Sequence, residues 1–136
     1  MRLFPVARLL GAAVLYGCTT TGAVASGAAP VTGRWGGARA DLTLTEAGGS
    51  IRYDCAHGAL NAPVVPDGAG GFDVAGVHLR ERGGPVRIGQ VPDSLPARYV
   101  GRVSGHRMTL RSFIGTDTLG PFELELGAAP QLVRCL

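Results

Sequence analysis

From Val31 onward the chain alternates apolar and polar residues in short runs, and most of these runs end at a glycine or a proline. A period of two is what a strand with one buried face requires, and no stretch keeps a helical period long enough to form a helix. Leu42 and Leu44 alternate with Asp41, Thr43 and Thr45, and Gly48-Gly49 turns the chain into Ile51, Tyr53 and Cys55. That is a hairpin with one apolar face. A run from Leu60 to Val65 ends at Pro66-Asp67-Gly68, where proline presets one backbone angle and glycine supplies positive φ for a turn. Phe72 and Val74 then occupy one phase, and Val77 and Leu79 the other. The shift falls at Ala75-Gly76, which predicts a β-bulge and places His78 outward. Runs at Tyr99–Val103, Met108–Ile114, Phe122–Leu126 and Leu132–Cys135 follow. About eight strands with mostly hairpin-length connections predict an all-β antiparallel meander. Closing it into a barrel removes the exposed edges; a β-sandwich is the alternative.

The first 30 residues do not belong to that pattern. Arg2 and Arg8 precede Leu9–Gly17, an uncharged apolar stretch much shorter than the roughly 20 residues that cross a bilayer. This order is that of a secretory signal, assigned here to residues 1–17. Leu15-Tyr16-Gly17-Cys18 resembles a bacterial lipobox, making Cys18 the expected lipidation site, while Ala23-Val24-Ala25 offers ordinary signal cleavage before Ser26. Thr19–Pro30 is small, uncharged and aperiodic, so residues 18–30 read as a lipidated cysteine and flexible tether and residues 31–136 as one domain.

Export changes the charge arithmetic. The whole chain has 13 Arg, no Lys and 10 acidic residues, a net charge of +3. Without lysine there is neither Schiff-base chemistry nor a Walker-type phosphate loop. Removing the signal takes Arg2 and Arg8 away and leaves 11 Arg against 10 acids, a charge of +1 with no basic stripe, so nucleic acid is not an expected partner. Of the three cysteines, Cys55 and Cys135 are left to pair in an oxidising compartment.

Gly33-Arg34-Trp35 resembles the G-x-W that opens lipocalin and avidin barrels, and Arg134 is placed like the arginine that covers that tryptophan in lipocalins. The resemblance implies structural roles for Trp35 and Arg134 in a closed, lipocalin-like barrel. A longer set is similar to a group of small exported bacterial proteins: WGG (35–37), YDCAHG (53–58), FDVAG (72–76), GGPVR (83–87), ARYVG (97–101), MTL (108–110) and RCL (134–136). It implies a fold and an envelope location, and no reaction.

Chemistry-bearing residues are sparse. Cys55 and His57 in Arg52–Gly58 are too far apart along an extended strand, about 6.5–7 Å, to act as nucleophile and base, and a disulfide sulfur is no nucleophile. His57, His78 and His106 have no local metal-ligand spacing, so no metal and no cofactor is expected. The Pro/Gly-rich segment Gly83–Arg98 departs from the meander and reads as a binding loop over one barrel mouth. Its candidate ligand-binding residues are Arg87, Asp93 and Arg98, with Tyr99 directly after. The expectation is a non-catalytic envelope module, lipid-anchored in the periplasm or outer membrane or secreted, holding a small apolar ligand in its barrel. The alternative is a protein or glycan interaction module acting through residues 83–98.

Overall fold

A computed structural model describes residues 28–81, 84, 85, 87–90, 93–133 and 135. The signal, Cys18, most of the tether and Arg134 lie outside the described residues. Eight antiparallel strands follow one another around a closed barrel: β1 (Gly33–Gly37), β2 (Ala40–Thr45), β3 (Gly48–Tyr53), β4 (Ala56–Leu60), β5 (Gly71–Arg80), β6 (Ser94–Ser104), β7 (Arg107–Ile114) and β8 (Asp117–Leu126). β1 pairs β8 through Trp35↔Leu126, Gly36↔Glu125 and Gly37↔Leu124 to close it. The meander and the closed barrel expected from the alternation are thus both present.

Inward positions follow the period of two. Leu42, Leu44, Ile51, Tyr53, Phe72, Val74, Tyr99, Met108 and Leu110 are buried in one apolar cluster with Trp35 and Leu124. Outward positions carry charge: Asp41 accepts hydrogen bonds from Arg34 on β1 and Arg52 on β3, and Arg98 on β6 pairs with Asp73 on β5. Tyr99 is too large for the middle of so narrow a barrel unless its neighbours lack side chains. A Cβ on Gly58 would lie 2.1 Å from the Tyr99 hydroxyl oxygen, and one on Gly76 would lie 2.7 Å from the ring. Both strands therefore present glycine to this ring.

Three sequence expectations are corrected. β5 pairs both neighbours without a register shift, so no bulge occurs at Ala75-Gly76. Phe72, Val74, Gly76 and His78 all face inward, and His78 is buried at 3% exposure. The glycine that suggested a bulge makes room for Tyr99 instead. The irregularity sits on β8, where the pairing passes from Leu110↔Phe122 to Ser112↔Leu119. Gly120-Pro121 supplies the extra residue; proline has no N–H for the ladder, and Gly120 takes a positive φ of 96°. Finally, Leu132, Val133 and Cys135 lie in no strand, so the expected last strand is absent among the described residues. β1 occupies that place in the count, the fourth strand lies at Ala56–Leu60, and the segment after β8 becomes a strap.

The strap crosses the outside of the β1–β2 turn. Gln131 exchanges backbone hydrogen bonds with Gly37 and Arg39, and the Val133 N–H donates to the Asp54 carboxylate at 2.9 Å. Cys135 then bonds to Cys55, which lies in the β3–β4 connection rather than within a strand, with a Cα–Cα distance of 5.5 Å.

The two barrel ends differ. At one end the 61–70 connection folds inward: Val64 is fully buried and its carbonyl accepts from the Val31 N–H at 2.8 Å. The turn expected at 66–68 is displaced to Asp67–Gly70: the Gly70 N–H donates to the Asp67 carbonyl, the positive φ of 82° belongs to Gly70 and not to Gly68, and the Asp67 carboxylate accepts from the Ala69 and Gly71 N–H groups. The other end carries the short 38–39, 54–55 and 115–116 turns, the disulfide and the long 81–93 connection.

Candidate functional site at the open barrel end

At this second end a cavity of about 360 Å3 opens to solvent. Its inner wall is Tyr53, Ala56, His78, Leu119 and Phe122, and its rim is Arg39, Asp54, Arg80 and Glu81. The bulge explains part of the wall. In a regular strand residues three apart face opposite sides, but the extra residue between them brings both Leu119 and Phe122 to the inner side of β8.

The rings form a cluster centred on Tyr53. Its centroid lies 5.7 Å from that of His78 and 5.4 Å from that of Phe122, tilted by 45° and 37°. Offset tilted contacts of this kind are the favoured arrangement for aromatic side chains. The Tyr53 hydroxyl is hydrogen-bonded to the buried Ser112 hydroxyl, and the Tyr99 hydroxyl donates to the Val77 carbonyl at 2.7 Å. Burial pushes the pKa of Tyr53 far up and that of Tyr99 up to about 12, so both keep their protons.

His78 differs from these tyrosines. Its Nδ1 is buried and has no hydrogen-bond partner. Burial, then the charges of Arg80 and His57, hold its pKa below the ordinary histidine value, so the ring is neutral at pH 7. Leaving a buried polar nitrogen unpaired costs about 1–3 kcal/mol.

The rim charges are balanced in pairs. Arg39 donates to Asp54 at 2.6 Å, Arg80 to Asp117 at 3.2 Å, and His57 sits 3.1 Å from Glu81. The Val133 N–H, and then Arg39, lower the Asp54 pKa, which keeps this clamp on the strap ionised. Among the described residues no three His, Cys, Asp or Glu side chains are grouped to hold a metal ion. Cys55 at the rim is tied up in its disulfide and offers no thiolate.

The residues singled out from sequence do not meet at this cavity. β6 begins at Ser94, so the connection spans 81–93 and Arg98 and Tyr99 belong to a strand. Being consecutive, they face opposite sides: Arg98 is exposed on the outer wall with Asp73, and Tyr99 is fully buried inside. Arg87 is exposed in a turn whose carbonyl accepts from the Gln90 N–H at 3.1 Å, and Asp93 is exposed just before β6. His106 is exposed in the β6–β7 turn. The residues that do converge, Tyr53, His78, Leu119 and Phe122, come from three strands. Gly120-Pro121 inside an apolar run was the one sequence signal pointing toward them.

Comparison with protein-family models, with curated proteins and with solved structures finds no match. The functional argument therefore rests on the site.

Proposed function

We propose that this chain is an exported, lipid-anchored, non-catalytic binding module of the bacterial envelope that takes a small, largely apolar ligand through the open end of its barrel. The observation carrying this reading is the solvent-open cavity of about 360 Å3 walled by Tyr53, His78, Leu119 and Phe122. Binding sites combine a mostly apolar concave wall with a few placed polar groups, and cavities of about 300–1,000 Å3 are their usual size. Beyond Tyr53 the interior is occupied by Tyr99, Ile51 and Leu110, so the ligand sits at the mouth and not along the whole axis. Export rests on Arg2, Arg8 and the apolar Leu9–Gly17 run, and anchoring on Cys18.

Two measurements test the proposal. In cell fractionation the wild type should pellet with membranes, and Cys18→Ala should leave them. The exported Cys18→Ala protein should bind the neutral fluorophore N-phenyl-1-naphthylamine saturably, one to one, and Leu119→Trp, which fills the mouth, should abolish binding while preserving the β-sheet circular dichroism spectrum. A folded wild-type barrel with no saturable uptake would sink the reading.

A second reading, contact with an envelope protein or glycan through the 81–93 connection, is favoured by Ile88, a large apolar side chain fully exposed beside Arg87. An Ile88→Ser variant that retains every partner captured by cross-linking would count against it.

A further inference from the structure

We infer that the Cys55–Cys135 disulfide is a thiol–disulfide exchange site on the folded barrel, at which a protein carrying a vicinal pair of thiols reduces the bond and releases the strap from the open rim. The inference does not depend on the barrel holding a ligand.

Three observations carry it. The first is access. Both cysteines are exposed and neither lies in a strand, Cys55 being in the β3–β4 connection and Cys135 in the strap. Exchange requires an attacking thiolate to reach a sulfur, so exposed disulfides are the labile and regulatory ones. The buried apolar cluster contains neither cysteine, so breaking the bond takes no side chain out of the core.

The second observation is how the two sides of the bond are held. Cys55 is fixed: Tyr53 before it pairs with Ala40, Ala56 after it pairs with Arg80, and its own carbonyl accepts from the Glu81 N–H at 3.2 Å. On the strap, Gln131 keeps its two backbone hydrogen bonds to Gly37 and Arg39 whatever the state of the sulfurs. Beyond Gln131, the described residues are held at the rim by the disulfide and by the Val133 N–H bond to Asp54 at 2.9 Å, while the Val133 side chain is 65% exposed and anchors little. The strap side is therefore the one that moves when the bond is cut.

The third observation is position. Cys55 lines the open-end cavity of about 360 Å3, and Cys135 lines a second one of about 400 Å3 together with Leu132 and Val133. Tyr53, Asp54 and Glu81 line both. A strap that leaves takes one wall of the second cavity with it, so reduction reshapes the rim.

The exchange transfers two electrons and two protons. A thiolate of the reductant attacks the Cys135 sulfur; an S–S bond forms between them, and the Cys55–Cys135 bond breaks with Cys55 leaving as a thiolate that takes up a proton. The reductant's second thiol, once deprotonated, attacks its own partner sulfur in this mixed disulfide and expels Cys135, which is protonated in turn. The reductant ends as a disulfide, and Cys55 and Cys135 end as thiols. Cys135 is the sulfur attacked because it sits on the movable side and carries the bound reductant away from the barrel wall.

The test exposes the exported Cys18→Ala protein to reduced thioredoxin in native buffer and follows it by iodoacetamide labelling, circular dichroism and amide exchange. The expected result is labelling of both Cys55 and Cys135 with the β-sheet spectrum retained. Val133 amide exchange should become at least about tenfold faster, as loss of a hydrogen bond to a charged acceptor implies, while β5–β7 stay the slowest. A thioredoxin whose second active cysteine is replaced by serine should be trapped on Cys135. Labelling that occurs only in urea strong enough to unfold the barrel overturns the inference, as does loss of the β-sheet spectrum on reduction, or an adduct trapped on Cys55 alone. Where the thiols reoxidise too fast for exchange to be read, the Cys55→Ser/Cys135→Ser variant decides. Fast Val133 exchange in its folded barrel supports strap release, and Val133 protected as in the disulfide form overturns it.

Discussion

Tyr99 shows how single residues set the interior of this barrel. Its ring lies against Gly58 and Gly76, and its hydroxyl reaches the Val77 carbonyl through the space that a Gly58 side chain would occupy. Gly58→Ala should therefore destabilise the fold by about 3 kcal/mol, combining overpacking with loss of a buried hydrogen bond. Gly68→Ala, with nothing within 4 Å of the added carbon, should change it by less than about 0.5 kcal/mol. Urea unfolding of both variants checks the pair. Asp41 sets part of the acid response. The hydrogen bond from Arg34, the largest cause, and the contact from Arg52 hold its pKa below the ordinary carboxyl value. A carboxyl whose pKa is lower when folded contributes stability above its unfolded value, about 3.9, and loses that contribution as pH falls through the folded value. Thermal melts of the wild type should drop below about pH 4, and Asp41→Asn should drop less steeply. At this scale the sequence was partly legible. Leu42 and Ile51 were readable as inward from alternation alone, and Trp35 only through the G-x-W resemblance. His78 was not, because Gly76 suggests a bulge when its strand is read in isolation; its true reason is a tyrosine two strand positions away in space and 23 residues away in sequence.

The elements divide into two kinds. β1–β4 run five or six residues each, and β5–β8 run eight to eleven; β8 projects past β1 at the open end, whereas the extra residues 71–75 of β5 project past β4 at the closed end. β1 turns back at Ala38-Arg39 after pairing with Leu124, which leaves the 117–123 part of β8 beside the cavity and without a β1 partner. The strap 127–135 compensates by tying that turn to the β3–β4 connection. Its hold is covalent at Cys135 and electrostatic at Asp54. A disulfide closing a separation of 80 residues contributes on the order of 4–5 kcal/mol on the chain-entropy model. The Cys55→Ser/Cys135→Ser double variant should lose about 2–5 kcal/mol in chemical denaturation. Asp54→Ala should leave the disulfide intact and make the strap more sensitive to limited proteolysis. The pairing of these cysteines was legible from counting. The strap was not, since Leu132-Val133 has the composition of a strand, and only the closed order of the barrel shows that no edge remains for it to join.

For the molecule as a whole, closure is uneven. The β1–β8 seam holds three residue pairs, whereas β5–β6 and β6–β7 hold nine and eight. Local opening should start where pairing is shortest. Amide hydrogen exchange should find the slowest protons in β5–β7 and faster exchange for β1 and the 117–123 part of β8; uniform protection around the barrel would contradict this. The plugged end has a consequence for how the protein sits in its compartment. The chain enters β1 through Val31, at the end closed by Val64, so a lipid on Cys18 would be attached beneath the floor of the barrel. Twelve tether residues reach roughly 17–21 Å on average, less than the roughly 28 Å length of an eleven-residue strand tilted in a barrel wall. If Cys18 is lipidated as proposed, the barrel would stand on the bilayer like a cup on its base, and a ligand would arrive from the aqueous space above instead of from the lipid below.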